Sequence, residues 1–124
     1  MVSNQEDITR YYFNSKNFRA DNTIKHNEFM PPANKRMSVY RTTDLSSDQI
    51  LDIGRMFVEP QRNKPIVGRG EMKALEVINC ELEINPDTTP HPRHANIEGW
   101  YEDTEKNRLK ALKLAAVAKS FRIM

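Results

Sequence analysis

Residues 45–50, Leu-Ser-Ser-Asp-Gln-Ile, leave little freedom about where one helix of this chain begins. Ser46 and Gln49 stand three apart, as a capping box requires: the Ser46 hydroxyl accepts from the Gln49 amide, and the Gln49 side chain accepts from the Ser46 amide. Leu45 before the cap and Ile50 after it form the apolar pair that staples the entry. Ile50, Ile53 and Phe57 then recur at helical spacing, which predicts a helix over about 46–58 that stops before Pro60.

Around this helix the composition changes to that of strands. Ile8–Phe13 and Met37–Thr42 are rich in β-branched and aromatic residues and read as strands. The connection 14–36 is broken by Asn, Asp and the Pro31-Pro32 pair, with Phe18, Ile24, Phe29 and Met30 as its apolar anchors. Residues 65–68 suggest a short strand entering a Gly68-Arg69-Gly70 turn. Met72, Leu75 and Ile78 suit a short helix over 71–79, with a strand starting at Leu75 as the alternative. Cys80, Leu82 and Ile84 alternate with Glu81 and Glu83 as in a half-buried antiparallel strand. Pro86, Pro90 and Pro92 then argue against regular structure before Ile97. A last helix is expected from 103 to about 121, with acids in its first turn and Lys119 and Arg122 at its end. Its apolar stretch 114–118 predicts burial on more than one side.

The expected fold is therefore α+β: a small mixed or antiparallel sheet packed against two main helices, about 46–58 and 103–121. One domain over 8–124 follows a disordered segment 1–7. Hydrophobic residues make up 38% and charged residues 29%, which excludes a disordered acidic chain, and no apolar run approaches the length of a membrane span. The start of the chain has neither the basic nor the apolar stretch of a secretory signal, and Cys80 is the single cysteine, so a cytoplasmic setting is expected. Charge is unevenly spread: seven acids lie between Glu81 and Glu105 with Arg93 as the single base, and six bases without an acid follow from Lys106 to Arg122.

The loop 88–100 draws attention because it holds His91, Arg93, His94, Asn96 and Trp100, with a proline on each side of His91. Stiff loops carrying such side chains are where binding or general acid–base chemistry is commonly mounted. Arg93 and His94 are accordingly expected to face an accessible cleft. In the structural alternative, His94 and Asn96 satisfy loop backbone groups while Ile97 and Trp100 plug the core. Arg41 lies on the interior face of its strand and needs a carboxylate, a phosphate or another partner, and an acid from 81–105 would serve. Arg69 between two glycines completes the set. His91 and His94 alone are too few for a metal site, so neither a metal nor a cofactor is expected. Cys80, turned inward by its strand pattern, is a poor nucleophile. A basic and aromatic run, Arg10, Tyr11, Tyr12, Lys16, Phe18 and Arg19, partly matches nucleic-acid binding, without any known nucleic-acid motif beside it.

The order Ser38-Val-Tyr-Arg-Thr42, a capped helix reaching Gly54, Arg93-His-Ala-Asn-Ile-Glu-Gly-Trp100 and a Lys- and Ala-rich final helix resembles a group of small bacterial proteins. That resemblance implies a bacterial origin and carries no activity with it. In outline, the unit 39–54 is also similar to the first βα unit of ADP-ribosyltransferase domains, whose later catalytic motifs find no counterpart here.

Three functional readings follow. The leading one is a binding or accessory module for an anionic ligand (a nucleotide, nucleic acid or acidic protein surface) contacted by Arg41, Arg69, His91, Arg93, His94, Asn96 and Trp100. The second is a metal-independent enzyme acting on a phosphodiester or nucleotide, with His91 or His94 as acid–base and Arg93 meeting developing charge. The third is a protein-interaction partner working through the C-terminal helix. The capping box supplies a first test: Ser46→Ala lowers the free energy of unfolding by about 1 kcal/mol, read as a shifted denaturation midpoint.

Overall fold

A computed structural model of the chain describes residues 2–89 and 91–123. Its centre is a six-stranded sheet of β1 (Asp7–Tyr12), β2 (Met37–Arg41), β3 (Gly68–Lys73), β4 (Glu83–Pro86), β5 (His94–Glu98) and β6 (Lys119–Arg122), in the order β4-β5-β2-β1-β3-β6. Every pairing is antiparallel, and the fold is α+β.

Helix α1 (Ser47–Ile53) starts where the capping box places it, with Gln49 N–H donating to Ser46 Oγ at 3.1 Å and Ser46 N–H to Gln49 Oε1 at 2.9 Å. It does not end at Val58. The chain continues through a π-helical turn, Gly54–Val58, into α2 (Glu59–Arg62), with Pro60 just after the change from π to α geometry. Asn63, left-handed with φ 54°, ends the helix. The Tyr11 hydroxyl donates to the Ile50 carbonyl and ties α1 down on the sheet. Gly54 lets the helix close on Tyr11 and Ile66, whose side chains occupy the space a Cβ would need.

The sheet has two different faces. On one, Ile8, Tyr12, Met37, Val39, Met72, Ala95 and Ile97 form the main core with Phe18, Ile24 and Phe29 from the 14–36 loop and with Ala111 and Leu114 of α4 (Thr104–Val117). On the other, Tyr11, Tyr40, Ile50 and Ile66 make a smaller cluster under α1, beside the buried hydroxyl pair Thr9–Thr42 at 2.7 Å.

Several sequence expectations change here. Gly68 to Gly70 is not a turn but the first half of β3, paired with β1 on one side and β6 on the other. The missing side chains make room for the loop: a Cβ on Gly68 would stand 2.5 Å from the Phe18 ring, and one on Gly70 would stand 2.7 Å from Ile24 Cδ1. Residues 71–79 hold the end of β3 and then the short helix α3 (Ala74–Ile78), so the helix begins later than expected and no strand starts at Leu75. Regular structure resumes at His94, because pairing with β2 supplies the β5 backbone with partners despite the prolines before it. The final helix stops at Val117, where the chain turns to pair with β3 as β6; helix propensity yields to the ladder. Within 114–118 Leu114 is buried, while Ala116 and Val117 are exposed. Residues of the N-terminal segment carry contacts: the Glu6 and Asn4 carbonyls accept from Ala74 and Leu75, and Val2 packs on the core.

Among the described residues no helix is long and apolar enough to cross a membrane. The close approach at Gly68 generates a prediction. Gly68→Ala drives a methyl into the Phe18 ring and to 2.9 Å from the Phe121 carbonyl. It costs about 1–3 kcal/mol of stability by overpacking, measurable by urea denaturation.

Candidate functional site

The arginines separate by what holds them. Arg41 makes a two-point ion pair with Glu6, Nε to Oε1 at 2.7 Å and Nη2 to Oε2 at 3.0 Å. Its carboxylate partner is thus Glu6 rather than an acid from 81–105. Hydrogen bonding holds the Glu6 carboxyl below its ordinary range and raises the Arg41 guanidinium. Arg69 is buried, with Nη1 3.2 Å from Glu71 Oε1 and its guanidinium stacked 4.0 Å from the Phe121 ring centre. It also walls a cavity of about 190 Å³ with Tyr11, Leu51, Ile66 and Phe121. That cavity is a weak anion site, because Glu71 already answers the Arg69 charge and Asp48 adds another carboxylate to the wall. Arg93 reaches back over the end of β2, its Nη1 donating to the Arg41 carbonyl at 3.1 Å and the Thr43 carbonyl at 3.5 Å.

The loop residues meet at one end of the sheet. His91 packs edge-on against Phe57, ring centres 4.7 Å apart, and its Nδ1 accepts from the Arg93 amide. Burial and the Arg93 charge both lower its affinity for a proton. Pro90, one of the two prolines expected to stiffen His91, lies outside the described residues. His94 departs from expectation: it is 7% exposed, set against Tyr40, and does not open to a cleft. Both ring nitrogens are engaged, Nδ1 with the Asp87 carbonyl at 2.8 Å and Nε2 with Ser38 Oγ at 2.7 Å. Asn96 lies beside them, directly across the ladder from Ser38, with its Nδ2 3.4 Å from the Asp87 carboxylate. Trp100 belongs to the core on the opposite face, its indole N–H donating to the Ile97 carbonyl at 3.1 Å.

His91, Arg93, His94 and Asn96 therefore form one neighbourhood, with Arg41 held at its margin through the Arg93 backbone and Arg69 two strands away across β1. Among the described residues no three His, Cys, Asp or Glu side chains converge to hold a metal ion. Cys80 is buried, and burial pushes its thiol up, away from the reactive thiolate.

Sequence reasoning missed two features. Ser38 sits on the face of β2 that carries Tyr40, and nothing in its local spacing announces a partner 56 residues away. Arg10, read only as part of a basic aromatic run, projects from the middle of β1. Its Nη1 donates to the Ser38 carbonyl at 2.9 Å, while its Nε is sealed from solvent without a partner. Among the described residues no carboxylate lies within ion-pair distance of it. Burial destabilises its charge and Arg62 adds to that, while the Tyr12 oxygen and Glu28 oppose it. Arg10 and Arg62 share a cavity of about 190 Å³ with Tyr12, Phe13, Asn17 and Glu28.

The buried setting of His94 carries a stability prediction. His94→Ala removes two hydrogen bonds and leaves a void beside Tyr40, and lowers stability by more than about 1 kcal/mol. Arg93→Ala, half-exposed and bonded to carbonyls that water can serve, costs less in the same denaturation experiment.

No known protein family, curated protein or solved structure matches the chain.

Proposed function

We propose that this protein is a binding module for a small oxyanion, taken up in the cavity between Arg10 and Arg62. The observation that carries the reading is Arg10, a half-buried arginine with a sealed Nε that lacks the carboxylate partner Arg41 and Arg69 have. Burial penalises that charge and no carboxylate pairs with it directly, so an anion in the cavity is the group that would answer it. Two guanidiniums line the cavity against the single carboxylate of Glu28, which leaves net positive charge inside it. Arg62 is stacked 5.3 Å from the Phe13 ring centre, so its planar fork is held at the rim. The volume, about 190 Å³, lies below the range for drug-sized ligands and suits a phosphate or a small carboxylate.

This keeps the anionic-ligand reading and moves it away from Arg41, Arg69 and Arg93, whose donors already have protein partners. Titration with inorganic phosphate against chloride at matched ionic strength tests it. Phosphate raises the melting temperature, and at about 100 times its Kd the gain approaches ~2.7 kcal/mol. Arg62→Ala, at an exposed position, leaves the fold intact and removes the phosphate effect. A melting temperature that phosphate moves no more than chloride overturns the reading.

One observation favours a second reading, a protein partner docked on α4. That helix buries Asn107 and Lys110 while leaving Leu109 62% exposed beside exposed Leu112. Leu109→Glu abolishes such a complex and leaves phosphate binding unchanged.

A further inference from the structure

We infer that Ser38 is a nucleophile activated by His94, and that the protein transfers acyl groups from small uncharged esters to water through this serine. Hydrogen-bond direction is the basis. The Asp87 carbonyl can only accept, so the neutral His94 ring carries its proton on Nδ1, 2.8 Å away. Nε2 is then left with its lone pair, and the 2.7 Å contact to Ser38 is made by the serine O–H donating to the imidazole. This is the arrangement in which a weak hydroxyl becomes a nucleophile: a base within hydrogen-bond reach, itself oriented by a third group.

The surroundings support the charges the reaction creates. When His94 takes the proton, the positive ring has the Asp87 carboxylate 3.9 Å from its Nδ1. The ring has one pose, packed against Tyr40 with centres 5.3 Å apart and buried between strands. Ser38 is half-buried rather than sealed, and the Arg10 guanidinium holds its carbonyl in place. Asn96, opposite Ser38 in the ladder and on the same face, directs one Nδ2 hydrogen at Asp87 and has a second with which to meet a developing oxyanion. The nearby Asp87 carboxylate repels phosphate esters and tolerates neutral ones, which selects carboxylic esters as the substrate class.

The steps balance without a cofactor. Ser38 Oγ bonds to the ester carbonyl carbon as its proton passes to His94 Nε2. The carbon–alkoxy bond then breaks, and the leaving alcohol takes that proton. Water, deprotonated by the same nitrogen, attacks the acyl-serine, releases the carboxylic acid and restores Ser38.

A fluorophosphonate probe tests the inference directly. Its phosphorus bonds to Ser38 Oγ, fluoride leaves, and the serine proton goes to His94. The folded protein gains one adduct by intact mass, peptide mapping places it on Ser38, and unfolding in urea before treatment prevents it. Ser38→Ala, which removes only a hydroxyl, takes no label and lowers hydrolysis of p-nitrophenyl acetate above buffer by at least about 100-fold. Absence of an adduct on the folded protein, or an adduct on another residue that persists in Ser38→Ala, overturns it. Either result makes the Ser38–His94 bond a strut between β2 and β5.

Discussion

β1 is hydrogen-bonded along both edges, and its six residues alternate between two layers of different chemistry. Ile8 and Tyr12 enter the main core, whereas Thr9 and Tyr11 face the smaller cluster beneath α1. A slip of one residue would put Thr9 among the apolar side chains and expose Ile8 to the polar layer, so the register of the whole sheet depends on this strand. Its ladder with β2 is short, pairing Ile8 with Arg41 and Thr9 with Tyr40. Beyond that, the Arg10 guanidinium supplies the Ser38 carbonyl with a donor, so a side chain stands where strand pairing has ended.

Interior cations in this domain are held by three kinds of partner, and the differences separate structure from function. Arg41 has a carboxylate on two points, which satisfies charge and geometry together. Lys110 is buried without one: its ammonium donates to the Glu81 carbonyl at 3.0 Å and the Gly99 carbonyl at 3.3 Å and lies over the Tyr101 ring. It ties the left-handed turn at Glu81 to the left-handed Gly99, a local strut that explains why α4 turns a lysine inward and a leucine outward. Arg10 has the Ser38 carbonyl, the neighbouring Tyr12 oxygen and a sealed, unpartnered Nε, and it borders a cavity. An incompletely answered charge next to open space is the distinguishing combination.

How much of this could be read from the sequence depended on range. The capping box at Ser46 and Gln49 needs only neighbours three residues apart, and it was legible to the residue. The strands near 8–13 and 37–42 were legible from their β-branched and aromatic residues, to within a residue at their ends. Gly68–Gly70 looked like a turn because glycine is a turn residue, yet here its lack of a side chain serves Phe18 and Ile24, which arrive from a loop more than forty residues earlier. The loop 88–100 stood out for its side chains, but burial of His94 follows from the pairing of β5 with β2, which no local spacing encodes. Ser38 and Arg10 were overlooked for the same reason: one is an ordinary strand serine and the other an ordinary strand arginine until the register places them.

The two outermost strands bear on how copies of this chain behave at high concentration. β4 and β6 each have only four residues, and each has one edge facing away from the sheet. β4 ends in Pro86, which offers no amide, and carries Glu83, while β6 carries Lys119 and Arg122. Joining β4 to β4 sets acid against acid, and joining β6 to β6 sets base against base. Short length, a proline and like charges therefore oppose the sheet-to-sheet growth that open strands invite. Only the head-to-tail union of β4 with β6 is matched in sign, so added salt, which screens that attraction, should favour dispersion of the molecules over their linear assembly.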